Sequence, residues 1–451
     1  MDMSKYIGDR NFYSKTFRVA LPISLQMLLG SGMAMVDTMM VSRIGMVTAV
    51  GNAGQMITLS QGISFGIVSG IAMFAAQFYG AKNENNLKKV FGLSLILGLV
   101  TSSLWVIIAF LFGDRILYFY LPDKEVLFYS LKYLRVVIFS LILFAVNDSF
   151  SILYRSMHKT RITLNIAIVG ALSNILFNYI FIFIFDFGVV GAALGTVTAQ
   201  VICFVIYMFY SIKTKQPFIG RLSEIFNISF EFVKPILNKM WPLILNETMF
   251  GLGMTLFVKA FGVFGTQSMD AYYIATQIYY LFMFIVHGYG SAVSVLIGSR
   301  LGEGRIELAI RESRYQMALG FVLAVIMVSL LLLNIDNVLY LFNITDYMIY
   351  DVARSLLMVY SIKVFLRMFN FLMFSTLRAG GDTKVLNFLD SGLMYLIGIP
   401  IAFFSVSVLG IKSVVVVLLL CQIEQLVRLI ITASRYRTNK WAKDLTKIIG
   451  D

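Results

Sequence analysis

Leu21–Gly45 reads LPISLQMLLGSGMAMVDTMMVSRIG, and the fold follows from what such a stretch can be. About 20 mostly apolar residues are enough to cross a bilayer as a helix. This one carries a single carboxylate, Asp37. An acid inside a span costs at least ~2.5 kcal/mol on insertion scales, so it marks a functional site unless it caps or snorkels near the helix end.

The whole chain has the same character. Its 451 residues are 59% hydrophobic and 14% charged, with a mean hydropathy of +0.83, a composition that belongs to polytopic membrane proteins. Cys203 and Cys421 both lie in apolar runs, where no disulfide or metal site is expected. Two histidines, His158 and His287, are too few for a metal cluster. The first 18 residues are polar and basic, and the apolar run after them is too long for a signal-peptide core.

Twelve apolar segments can be counted, near 17–42, 50–77, 90–113, 127–154, 162–185, 189–211, 240–264, 272–299, 314–335, 351–377, 385–409 and 411–434. The longest polar interruption, Ser211–Lys239, divides them into six and six. The expected plan is all-α, with twelve transmembrane helices in two pseudo-symmetric six-helix bundles. The first bundle covers 1–211, a cytoplasmic linker covers 212–239, and the second bundle with its tail covers 240–451. With the N-terminus inside, the inward segments hold 26 Lys and Arg, and the outward loops hold four: Arg43, Arg115, Lys124 and Lys412. That bias places both termini in the cytoplasm. It also accounts for the net charge of +13 as topology signals beside anionic lipid, without a nucleic-acid partner.

The two halves repeat. Leu21-Pro22 matches Trp241-Pro242, and Gly45 matches Gly265, at an offset of 220. Ala49, Ala53, Gln55 and Gly80 match Ala271, Ala275, Gln277 and Gly302 at 222; Asn147, Arg155 and Thr160 match Asn370, Arg378 and Thr383 at 223. With an even number of helices per half, both run the same way, a parallel repeat of the kind transporters use.

Several of these motifs carry a family resemblance. Leu21-Pro22-Ile23-Ser24-Leu25-Gln26 with Val36-Asp37-Thr38-Met39-Met40-Val41 resembles the first helix of the multidrug and toxic compound extrusion (MATE) family. So do Ala49–Gln55, Gln77–Ala81, Trp241–Glu247 and the loop Arg378–Lys384; the resemblance runs from about Phe17 to Arg437. It implies extrusion of organic cations in antiport with Na⁺ or H⁺ by alternating access, with no other cofactor. It further implies a cation-coupling site at Asp37, Asn174, Asn178 and Thr196. Asn178 stands where some relatives carry a second acid, a departure that removes a paired-carboxylate relay. Glu247 matches an acid used in the second bundle of some members; its partner there, an acid on the tenth helix, is replaced here by Lys363, Arg367 and Asn370.

Physical reasoning about these residues stands beside the resemblance. Asn174 and Asn178 share a helical face, and Asp37, Asn178 and Thr196 fall at a similar depth, roughly 6–12 Å below the outer surface. Together they offer a protonatable centre or oxygens for Na⁺, with Asp37 and Asn178 as its ligands. The competing reading makes the amides interhelical glue. Glu247 could instead cap its helix or pair with Lys239, and Asp148 and Asp390 could pair with Arg155 or Lys384. Lys363 and Arg367 must face protein or a water-filled cavity, with Glu424 as candidate counter-charge. Tyr273, Tyr280, Phe284 and His287 are candidate substrate contacts, since aromatic cavities suit lipophilic cations.

No phosphate-binding GxxxxGK[ST] loop is present, which argues against ATP-driven pumping and leaves a secondary transporter rather than an enzyme. Its expected partners are small cationic or lipophilic molecules and membrane lipid, with the chain acting as a monomer. A lipid-linked oligosaccharide flippase would need a cavity lined by several arginines. A membrane-embedded lipid-phosphate transferase would need a cluster of acids at one face.

Overall fold

Long apolar stretches with few breakers become long helices, because a backbone in hydrocarbon must satisfy its own hydrogen bonds. The computed structural model describes residues 7–44, 46–120, 124–340 and 346–449. Gly45, the repeat partner of Gly265, lies outside them. The helices run α1 (Arg10–Ser42), α2 (Val47–Gly80), α3 (Glu84–Tyr120), α4 (Lys124–Val137), α5 (Ser140–Ser156), α6 (Thr160–Tyr179) and α7 (Gly188–Lys213). They continue with α8 (Leu222–Ile225), α9 (Phe230–Phe261), α10 (Thr266–Gly302), α11 (Ile306–Leu333), α12 (Ile335–Tyr340) and α13 (Tyr347–Ala379). The last are α14 (Thr383–Asn387), α15 (Ile399–Ser407), α16 (Val414–Arg437) and α17 (Thr446–Ile449). Among the described residues no strand occurs.

Among the described residues ten helices are long and apolar enough to cross a membrane, and α4 with α5, bent by 43°, makes an eleventh. Beside them stands α1, 33 residues long and uncharged between Arg18 and Asp37. On α3, Val90, Phe91, Leu93 and Leu117 are buried while Leu99, Val100, Leu104, Ile107, Phe110 and Leu111 are exposed. That apolar outer face suits lipid and would be a liability in water. Where the third apolar segment is expected to end near 113, α3 runs on to Tyr120 and includes Asp114 and Arg115.

Two compact units are formed. One contains Leu25–Met240 and the chain from Thr446; the other contains the chain up to Ser24 and Trp241–Leu445. The first turns of α1, read from sequence as part of the first half, thus pack with the second. Gln316 Nε2 donates to Thr16 Oγ1 at 3.0 Å, and the Phe12 ring meets Tyr315 edge-on at 5.3 Å. The segment 212–239 is a structured part of its unit. Phe218 is fully buried against Phe91 at 4.9 Å and Tyr154 at 5.4 Å. Lys88 bonds Glu224 at 2.7 Å, holding that carboxyl below its ordinary range.

Each unit contains the same interhelical bracket. Asn147 Nδ2 donates to the Gln200 carbonyl (3.0 Å) and side-chain Oε1 (2.9 Å). Asn370 Nδ2 does the same to Gln425, at 3.2 and 3.3 Å. The helix ends repeat as well. Lys82 and Gly304, and likewise His158 and Gly381, are paired left-handed residues with φ of 58°, 74°, 61° and 75°. Each is followed by an amide that reaches back across the turn, Asn83 to Phe78 (2.9 Å) and Arg305 to Arg300 (3.1 Å) in the first pair. This is the usual way to satisfy the last carbonyls of a helix, and it favours glycine at the left-handed position.

Helix regularity breaks where Ile180–Ile184 follows α6 and where Phe388–Gly392 and Met394–Gly398 follow α14, all in π-turn geometry. Such turns tend to accompany functional sites. In the second case Pro400, which has no N–H to donate, sits at the start of α15.

A prediction follows from the paired turns. Nothing lies near a Cβ added at Gly304, so Gly304→Ala costs only its left-handed backbone strain, about 1 kcal/mol, and should lower the unfolding midpoint in detergent. Lys82→Gly removes the same strain from an exposed position and should leave the midpoint equal or higher. Equal midpoints for Gly304→Ala and wild type would refute the assignment.

Candidate functional site

Near the end of α1, Asp37 receives a hydrogen bond from Asn178 Nδ2 at 2.7 Å. The same amide nitrogen lies 3.3 Å from Asn174 Oδ1, one turn earlier on α6. Asn174 Nδ2 in turn donates to Thr196 Oγ1 on α7 at 3.4 Å, and Thr196 bonds back to the Ala192 carbonyl at 3.2 Å. All four residues expected from sequence at the coupling site therefore form one chain of hydrogen bonds. Asn174 and Asn178 are each 1% exposed, so their polar atoms have no access to solvent. Asn178 Oδ1 is buried without a hydrogen-bond partner, a costly arrangement unless another ligand or a rearrangement uses it.

Local sequence explains the closeness. A Cβ at Gly195 would collide with Asn178, and one at Gly191 would stand 2.7 Å from the Phe181 backbone. These two glycines, one turn apart on α7, let it lie against α6 and the π turn that follows Asn178. Val41, Ile182, Ala192 and Ala193 belong to the buried apolar cluster nearby, which keeps the carboxylate in low-dielectric surroundings. The oxygens of Asp37, Asn174, Asn178 and Thr196 are a hard set, suited to a proton or a hard cation. In the observed orientation, however, Asn178 presents NH₂ to the carboxylate. A cation on Asp37 needs that amide to turn and offer Oδ1.

The second unit is organised differently. Glu247 on α9 lies 4.0 Å from Arg378, which is the counter-charge the structure gives it. Asn246 beside it donates to Asp390 Oδ2 at 3.1 Å and accepts from Ser391 Oγ at 2.6 Å. Asp390 pairs with Arg428 on α16 and, at 3.3 Å, with Arg367 on α13, rather than with Lys384. Glu424 pairs with Arg428 and accepts from Gln425 Nε2 at 2.7 Å. In the first unit, Arg155 turns to Ser151 Oγ at 3.0 Å, and Asp148 instead borders a small cavity with Gln26 and Tyr207.

A cavity of about 120 Å³ opens beside the second cluster, bordered by Tyr280, His287, Lys363, Arg367 and Arg428 among others. Of the four aromatic and histidine candidates, Tyr280 and His287 border it; His287 packs on Phe371 at 4.8 Å. Tyr273 is half-exposed and packs beside Tyr272 at 5.8 Å. Phe284 does not border the cavity. Sequence reasoning missed Arg428. The available signal was Glu424 and Arg428, four apart on one face of an apolar helix.

The MatE family model matches residues 22–180 and 242–404, one match in each half. The chain is 26% identical over 438 residues to the multidrug export protein MepA of Staphylococcus aureus (strain MRSA252), covering 91% of each. It is 23% identical over 399 residues to the probable multidrug resistance protein YoeA of Bacillus subtilis (strain 168), covering 85% of this chain and 84% of that one. Its fold matches a crystal structure of MATE in the bent conformation, with a TM-score of 0.87 at 20% identity, over 97% of this chain and 98% of that one. Two family matches in tandem, one per repeat, on an all-helical membrane fold lead to one assignment: the chain belongs to the MATE family of multidrug efflux transporters.

Proposed function

We propose that this protein exports small cationic or lipophilic compounds in antiport with Na⁺ or H⁺, working as a monomer in the bacterial inner membrane with both termini cytoplasmic. The observation that supports this reading is the hydrogen-bonded chain Asp37–Asn178–Asn174–Thr196, ending on a carboxylate with no basic partner. Antiport needs two ligands that bias one conformational equilibrium in opposite directions. A lone carboxylate supplies this, because an organic cation and the coupling ion compete for the same negative charge.

Asn178 is the second moving part. When a proton or Na⁺ reaches Asp37, the amide NH₂ loses its acceptor, and the buried Oδ1 becomes the group that is needed. Rotation of the amide then gives a protonated Asp37 an acceptor or gives Na⁺ a second oxygen. The energy scale of one buried charge-assisted hydrogen bond, about 1.5–3 kcal/mol, is enough to shift a two-state equilibrium more than tenfold.

The alternatives fit less well. A cavity of about 120 Å³ accommodates a small aromatic molecule and not a lipid-linked oligosaccharide. A lipid-phosphate transferase needs available acids, and Asp390 and Glu424 are both bound to arginine.

In proteoliposomes with imposed gradients, Asp37→Asn should abolish gradient-driven efflux of a cationic dye while dye binding persists. Glu247→Gln, whose acid already has Arg378 beside it, should keep coupling. Separate Na⁺ and H⁺ gradients identify the ion. Wild-type coupled rates in Asp37→Asn would overturn the assignment, and loss of coupling only in Glu247→Gln would move it to the second unit. Orientation has its own test: a single cysteine at Lys215, with Cys203 and Cys421 replaced, should resist an impermeant thiol reagent on intact cells, and one at Lys412 should react. The opposite pattern would invert the topology.

A further inference from the structure

The cavity in the second unit has an excess of positive charge that the fold does not need. Three basic side chains border it, Lys363, Arg367 and Arg428, and two carboxylates answer them. Asp390 is held by Arg428 and Arg367, and Glu424 by Arg428 and Gln425. Lys363 is left over: among the described residues it makes no ion pair within 4.0 Å. Its ammonium lies over the rings of Tyr279 and Tyr360, 5.0 and 5.4 Å from their centroids, and those rings are themselves stacked at 4.8 Å. Aromatic faces orient a cation and attract it modestly, but they do not neutralise it.

A cation within a membrane span persists where it meets a counter-charge or a water-filled cavity. Lys363 and Arg367, one turn apart on α13, present their charges to the same space. The remaining wall is apolar and deformable, with Phe250, Met254, Phe257, Met283 and Met394. Methionine-rich walls adapt to differently shaped rings. Arg367 spends one Nη on Asp390 at 3.3 Å and keeps further N–H groups available, a geometry suited to planar carboxylates.

We propose that this cavity is a binding site for amphiphilic aromatic monoanions, with the carboxylate received by Lys363 and Arg367 and the ring lying between Tyr279, Phe257 and the methionines. It goes beyond the export reading, which rests on Asp37 in the other unit and an organic cation. An anion here supplies the charge that Lys363 lacks; a cation of the same shape meets the surplus and is disfavoured.

The test compares three ligands with one ring system, 1-naphthoate, 1-naphthylmethylamine and 1-naphthylmethanol, by their effect on the unfolding midpoint of the purified full-length protein. A ligand that binds only the folded state raises that midpoint in proportion to occupancy. The naphthoate should half-saturate at least about tenfold below the uncharged alcohol, the effect of one charge-assisted contact. Lys363→Met should remove that preference and Lys363→Arg should retain it; the amine, which Asp37 in the other unit can also hold, reports on the export reading, so its failure is read separately. A second measurement needs no variant. Photolabelling of the wild-type protein with 4-benzoylbenzoate should place adducts at Met254, Met283 or Met394, displaced by 1-naphthoate. Equal affinities for acid and alcohol, an unchanged preference in Lys363→Met, or adducts confined to the other unit would each overturn the proposal.

Discussion

In hydrocarbon there is no water to accept a stray hydrogen bond, so every polar group carried into a span must be answered by another part of the protein. This constraint shapes both halves of the molecule. Asn147 reaches Gln200 across one unit and Asn370 reaches Gln425 across the other, each amide joining two helices through one backbone and one side-chain oxygen. Buried amide brackets of this kind fix which faces of the helices meet, in a setting where apolar packing alone discriminates poorly between registers. The polar sites on either side inherit their geometry from that arrangement.

From the same bracket the two halves go separate ways. Three residues beyond Gln200, the Cys203 thiol meets the Ile166 carbonyl at 3.8 Å. Three residues beyond Gln425, the Arg428 guanidinium meets the Asp390 carbonyl at 2.8 Å and clamps its carboxylate as well. The first unit keeps its charges apart, with Asp37 held by one amide and Asp148 on a separate cavity. The second contains a network of charges that hold each other. Breaking a buried ion pair by removing one member costs about 3–5 kcal/mol, whereas turning an amide beside a lone carboxylate exchanges hydrogen bonds of similar worth. On that scale the surroundings of Asp37 are the easier to rearrange, and the Asp390 cluster is the more rigid of the two.

Much of this was legible before any coordinates. Hydropathy and the uneven placement of Lys and Arg are properties of composition along the chain, and they yielded twelve spans and a two-part plan. The Asp37, Asn174, Asn178 and Thr196 set was implied by the family resemblance, and the one-turn spacing of the two asparagines and the similar depth of Asp37, Asn178 and Thr196 agreed with it. The C-terminal network was not legible. Asp390 lies within a π turn, which shifts facing by a residue in a way no α-helical periodicity foretells. Glu247 has Lys239 near it in sequence, yet Arg378 answers it from α13, a long-range choice made by packing. Phe218 and Thr16 likewise belong to segments whose local sequence reads as surface, and only tertiary contacts bury them.

The contrast between the halves also separates residues the fold requires from residues it merely tolerates. Asp390, Arg367, Arg428 and Glu424 form one buried network: removing any member unbalances the charge of the rest, so their presence together is explained by folding. The bracket asparagines are explained in the same way. Lys363 is not. Among the described residues it makes no ion pair within 4.0 Å, and its ammonium rests over two tyrosine rings. Asp37 stands in the matching position among the acids, answered by an amide and by no base. Among the described residues Asp37 and Lys363 each lie in a span without an ion pair and beside groups able to hold a ligand, and a charge so placed costs stability that a bound ligand can offset.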